Sequence, residues 1–142
     1  MNDTVVTDGA TFDPAAHGWE RVKAHNFGEL IGPVWRKGDG LFGIVTADKH
    51  RNHRSMLHGG VLMSFADQAM GMTGRRLTGD KPHATIEMNM QFIAGVKIGD
   101  FVEAHCEVVR ETRSVLFIEG KLKVGDRIVA SASGIWKILG EK

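Results

Sequence analysis

At 142 residues, with 42% hydrophobic and 25% charged side chains, the chain has the size and composition of one globular domain whose core needs neither disulfides nor metal. A formal net charge of +1 offers no polybasic surface for nucleic acid or an anionic membrane, so neither is an expected partner. A single cysteine, Cys106, rules out a disulfide within the chain and points to a reducing compartment.

The opening residues MNDTVVTDGATFD carry acids where a secretory signal carries bases, and they hold no apolar run. The longest apolar stretch, HGGVLMSFADQAMG at 58–71, is interrupted by Asp67, Gln68 and glycines, too often to span a bilayer. The expectation is a cytoplasmic protein. Asp13-Pro14 pairs an N-cap acceptor with a proline at the first helical position, and Trp19, Val22 and Phe27 follow at near-helical spacing. This predicts a short amphipathic helix within an N-terminal extension, 1–27. From Gly28 to Thr46 short apolar runs broken by KGDG at 37–40 predict two strands joined by a tight turn, and polar residues 47–57 predict a loop.

Residues 58–77 predict one long helix. Beyond it HATIEMNMQF changes period: His83, Thr85, Glu87, Asn89 and Gln91 alternate with Ala84, Ile86, Met88, Met90 and Phe92, predicting a strand with one buried face. Three more strands are expected at 100–110, 114–124 and 127–138, the first holding Cys106 as a small core hydrophobe. Two strands, a hydrophobic helix and four strands argue for an α+β architecture, an antiparallel sheet packed on one central helix, with residues 28–138 as its core.

On a 3.6-residue period Gly60, Ser64, Asp67, Gly71 and Gly74 share one stripe of that helix. Glycine inside a helix costs about 1 kcal/mol relative to alanine, so three on one stripe imply a close approach by another backbone or by a ligand. Gly60 and Ser64 are candidate substrate contacts. Asp67, a carboxylate in apolar surroundings with no cation nearby in sequence, reads either as a general base or nucleophile or as a structural anion held by amides. The amides of Gly59 and Gly60, at the helix N-terminus, can face a developing negative charge.

Asn52, His58-Gly59-Gly60 and Asp67, followed by ATIEMNMQF, resemble the hotdog-fold acyl-CoA thioesterases of the PaaI-like branch, over roughly residues 28–138. The resemblance implies a long helix wrapped by an antiparallel sheet, homodimers joined edge to edge and often a dimer of such dimers, with active sites between protomers. It implies further that the Gly59 N–H polarises a thioester carbonyl and that His58 and Asn52 lie beside the carbonyl and departing thiolate. Asp67 would enter from the neighbouring subunit as base or nucleophile, and Thr85 matches a position that orients water. The substrate would be an acyl-CoA; coenzyme A then arrives as part of the substrate and no cofactor is implied.

Other signals carry plainer readings. His50, His53 and His58 lie close in sequence but without a cysteine pair or a carboxylate at ligand spacing, so no metal site is expected. Arg75, Arg76 and Lys81 suit the negative pole of a helix, yet with Arg113 they are also the available cations for a nucleotide phosphate. Glu87 reads as a solvated or cross-strand-paired carboxylate. A non-hydrolytic acyl-CoA binding protein is the competing function, and a hydratase the third.

Overall fold

The computed structural model describes residues 12–140. The Asp13 side chain accepts the Ala15 N–H as expected of an N-cap, but only one 3-10 turn follows, Pro14–His17. Gly18, at φ 89°, turns the chain out of it, and the predicted N-terminal helix does not form. Trp19 is instead buried, its ring edge-on to Phe101 at 5.0 Å. The chain continues into β1 (Glu20–Arg21) and a short helix α1 (Asn26–Ile31), which takes up residues expected to be strand.

β2 (Val34–Arg36) and β3 (Leu41–Val45) flank the KGDG turn as expected. A 3-10 turn, Asp48–His50, interrupts the polar loop before the long helix α2 (Gly59–Leu77). Strands β4 (His83–Phe92), β5 (Phe101–Glu111), β6 (Val115–Val124) and β7 (Arg127–Ile138) follow. All pairings are antiparallel, in the order β1-β2-β3-β5-β6-β7-β4. α2 lies across one face, where Phe65, Ala66, Ala69 and Met70 are buried against Ile44, Val102, Ile118, Leu122 and Trp136. None of the helices described is long and apolar enough to cross a membrane.

The glycine stripe divides in two. A Cβ at Gly74 would stand 2.7 Å from Leu116 Cδ1, and one at Gly71 3.5 Å from Trp136 Nε1, so here the close neighbour is the protein's own sheet. The N-terminal half of the stripe, Gly60, Ser64 and Asp67, faces outward and is only partly covered. Cys106 sits on the helix side of β5, paired in register with Gly120. Burial pushes its thiol up to about 11, against a smaller opposing effect of the Thr73 hydroxyl.

β4 departs from expectation. Among the described residues it ends the sheet and pairs only with β7, and none of its ten residues is buried. Its alternation also breaks: Thr85 pairs with Trp136, but Glu87 pairs with Ile135, leaving Ile86 as the extra residue of a β-bulge.

Candidate active site

The bulge builds the first half of the site. Strict alternation would keep Thr85 on the same face as Glu87, Asn89 and Gln91. With one residue inserted, Thr85 shares the helix-facing side with Met88, Met90 and the buried Trp136, while Glu87 and Asn89 turn to the far side. The Thr85 hydroxyl therefore reaches α2 and donates to Asp67 Oδ1 at 2.7 Å. Glu87 accepts from Asn89 Nδ2 at 3.2 Å on the opposite face, away from this pair.

The second half lies at the start of α2. His58 is the N-cap, and its Nδ1 accepts the Gly60 N–H at 2.8 Å. The neutral ring then carries its proton on Nε2. The Val61 N–H returns to the His58 carbonyl at 3.0 Å. Gly60, a candidate substrate contact, thus spends its amide on the cap, whereas the Gly59 N–H has no acceptor among the described residues. A single unspent donor stands at the positive pole of the helix.

The loop before it is tied down by backbone-directed side chains. Asn52 Oδ1 accepts from the Arg54 N–H at 2.7 Å and the Met56 N–H at 3.1 Å, closing a tight turn and leaving its Nδ2 as the outward donor. His50, only 2% exposed, accepts the Ala47 N–H at Nδ1, which places the proton of a neutral ring on Nε2, 2.6 Å from the Ile31 carbonyl. The His50 carbonyl in turn accepts the His58 N–H at 2.8 Å. Burial holds the His50 ring below its ordinary pKa; the Ile31 contact opposes this and Lys49 adds to it. Sequence reasoning weighed His50 only as a ligand and missed this anchoring role, which depends on a carbonyl nineteen residues away.

A cleft of about 390 Å³ opens beside Gly59, lined among others by Asn52, Arg54, Leu62, Phe92 and Gly95. Its walls are largely apolar, with the Asn52 side chain and the Gly59 amide among its polar groups. Asp67 does not line this cleft. Eight residues of α2 separate it from Gly59, about 12 Å along the axis, so one chain does not bring both groups onto a single carbonyl carbon.

The remaining candidates are dispersed. Ser64 lies half-buried between Gly60 and Asp67 on α2. Arg75 and Arg76 are exposed in the last turn of α2 and Arg113 is exposed in the turn between β5 and β6, and Arg76 is ion-paired with Asp39 at 2.6 Å. Among the described residues no three His, Cys, Asp or Glu side chains come together to hold a metal; His53 is exposed, and the rings of His50 and His58 serve backbone groups.

The family profile of the thioesterase superfamily matches residues 55–131, the span from the loop before α2 into β7. The chain belongs to that superfamily. A Pseudomonas aeruginosa protein with an esterase name, PA0474, is 32% identical to this thioesterase-superfamily chain over 116 residues, covering 78% of it and 86% of the relative. The phenylacetic acid degradation protein PaaI of Thermus thermophilus, solved as a mutant, superposes with a TM-score of 0.71 at 22% identity, over 80% of this chain and 98% of its own. BH2602 of Bacillus halodurans, solved with CoA, superposes at 0.74 and 23% identity, over 82% and 78%. The α+β hotdog fold read from the Asn52, HGG and Asp67 motif is thereby borne out, and the sheet around α2 is that of this thioesterase superfamily.

Proposed function

We propose that the protein hydrolyses acyl-CoA thioesters to the free acid and coenzyme A, with Asp67 as the base and the Gly59 N–H as the oxyanion donor. The observation that carries this reading is the hydrogen bond from Thr85 to Asp67, which fixes a carboxylate on the N-terminal half of the glycine stripe, the half that the sheet leaves only partly covered. A thioester carbonyl is already electrophilic, so a positioned water, a base and one donor suffice. Asp67 takes a proton from water as its oxygen bonds to the carbonyl carbon. The tetrahedral oxyanion is met by Gly59, and its collapse breaks the C–S bond. The leaving sulfur departs as thiolate and receives the proton held by Asp67, while the Nε2–H of His58 and the Nδ2 of Asn52 are donors beside the oxygen and sulfur. Direct attack by the Asp67 carboxylate is the variant of this scheme, giving an anhydride that water then opens.

The separation of roughly 12 Å between Gly59 and Asp67 along α2 favours two copies sharing each site. The edge strand β4 leaves one side without a partner strand, and it carries Ile86, 56% exposed, and Phe92, 55% exposed. Antiparallel pairing of β4 with its own copy would cover both residues and run two α2 helices past each other, setting Asp67 of one protomer toward Gly59 of its partner. A homodimer, alone or doubled, is the proposed assembly. The relative of this fold solved with CoA supports coenzyme A as the carrier.

The test is thiol release from a panel of aliphatic and aryl acyl-CoAs. The wild-type protein is expected to turn over at least one, and Asp67→Asn to lower kcat by roughly 10²–10⁴-fold, the range of a general base. Undiminished rates in Asp67→Asn reject the mechanism. Tight coenzyme A binding without hydrolysis of any thioester would make the protein a binding module instead.

A further inference from the structure

If the substrate is an acyl thioester of a phosphate-bearing carrier, as proposed above, the phosphates need a seat, and within one chain the cations nominated from sequence stand at the other end of α2 from Gly59. One other cation lines the cleft beside Gly59, and two more are attached to residues that line it. Arg54 lines it and is exposed. Arg127, from the start of β7, donates from one guanidinium nitrogen to the Gly95 carbonyl at 3.0 Å, and Gly95 lines the same cleft. Lys97 is two residues further on, joined by a β-bridge to Met56, which lines the cleft. Its backbone is fixed on both sides: the Lys97 N–H donates to Asp100 Oδ2 at 3.1 Å, and its carbonyl accepts from the Thr46 hydroxyl at 3.2 Å.

None of the three forms an ion pair among the described residues, whereas Arg36, Arg51 and Arg76 each have an acidic partner. Like charges near one another that form no ion pair repel, and an anionic ligand relieves that repulsion. A guanidinium anchored by one N–H keeps its other donors in the planar fork that matches phosphate oxygens. We propose that Arg54, Lys97 and Arg127 seat the phosphates of coenzyme A, with the pantetheine arm running down the cleft to the Gly59 amide. Coenzyme A carries a diphosphate and a 3′-phosphate, a carrier protein's phosphopantetheine only one phosphodiester; three cations fit the former.

The test compares thioesters of one acyl group carried on coenzyme A, on 3′-dephospho-coenzyme A and on N-acetylcysteamine, which has no phosphate. In Arg54→Gln/Lys97→Gln/Arg127→Gln the preference for coenzyme A over N-acetylcysteamine, taken as the ratio of kcat/KM, is expected to fall at least tenfold, and the preference over 3′-dephospho-coenzyme A to fall with it. An unchanged ratio overturns the proposal, as does a selective loss in Arg75→Gln/Arg113→Gln instead. If only the preference over 3′-dephospho-coenzyme A is untouched, the rim reads a diphosphate and the assignment of three phosphates fails. Calorimetric titration with coenzyme A separates this from the catalytic reading. Should the wild type hydrolyse nothing, a tenfold weaker affinity in the triple variant still supports the rim, and equal or absent binding removes it.

Discussion

Thr85 contributes one hydroxyl, and its partner is a carboxylate; hydrogen bonds to charged groups contribute about 1.5–3 kcal/mol. If that bond holds Asp67 in its reactive orientation, Thr85→Val is expected to lower kcat about tenfold or more while Thr85→Ser keeps most of it, because about 1.4 kcal/mol is a factor of ten. Thiol-release kinetics on the two variants decide it, and equal rates in both would remove Thr85 from the mechanism. His50 acts one step further back, through the loop that carries Asn52 and His58. His50→Ala leaves the Ala47 N–H and the Ile31 carbonyl unpaired at roughly 1–3 kcal/mol each, whereas Gln can supply one acceptor and one donor at similar reach. Denaturant unfolding should show His50→Ala destabilised and His50→Gln largely restored, with kcat following the same order.

The bulge at Ile86 is the element on which the site turns. Deleting Ile86 makes Thr85 and Glu87 direct neighbours opposite Trp136 and Ile135; since Met88 and Met90 pack against the core, alternation in the regular ladder keeps the Thr85 hydroxyl on the face toward α2. The deletion variant is expected to fold, by circular dichroism, and to keep thioester hydrolysis near the wild-type rate; a loss as large as that of Thr85→Val would show that the bulge itself aims the hydroxyl. This was the part of β4 that sequence could not show, since HATIEMNMQF alternates without a flaw and the extra residue is defined only by what β7 places opposite. The strand itself, α2 and β5–β7 were legible because their periods are long and uninterrupted. The N-terminal helix was not, because Trp19 and Val22 continue the helical spacing only if Gly18 between them and Pro14 is ignored. Gly74→Ala tests the contact between elements: the added methyl meets Leu116 Cδ1 and Ile118 Cδ1, the ends of flexible but buried side chains. Overpacking of about 1–3 kcal/mol outweighs the gain of about 1 kcal/mol in helix propensity, so a net loss of about 1 kcal/mol is expected in denaturant midpoints.

For the whole molecule, acid sensitivity follows from two rings kept neutral. Burial lowers the pKa of His50 and of His83, with Arg75 adding to the second, below the unfolded value of 6.5. In acid the unfolded chain binds protons that the fold refuses, so the stabilisation is complete above about pH 6.5 and is lost as pH falls below it. Melting temperatures should therefore decline on that side, less steeply in His50→Gln; a parallel decline would exclude His50 as a source. The proposed catalytic half of the site could be nominated from sequence because Asn52, His58, Gly59 and Asp67 are near neighbours along the chain. The Arg54, Lys97 and Arg127 rim could not, for Arg127 meets Gly95 only once β7 and the segment after β4 are side by side. Cys106, the one sulfhydryl in the chain, is only partly exposed, with its sulfur beside Gly120 and its ionisation pushed up to about 11. Disulfide dyes that colour on meeting liberated coenzyme A should thus find almost nothing to react with in the protein itself, so turnover can be followed continuously at high enzyme concentration against a flat baseline.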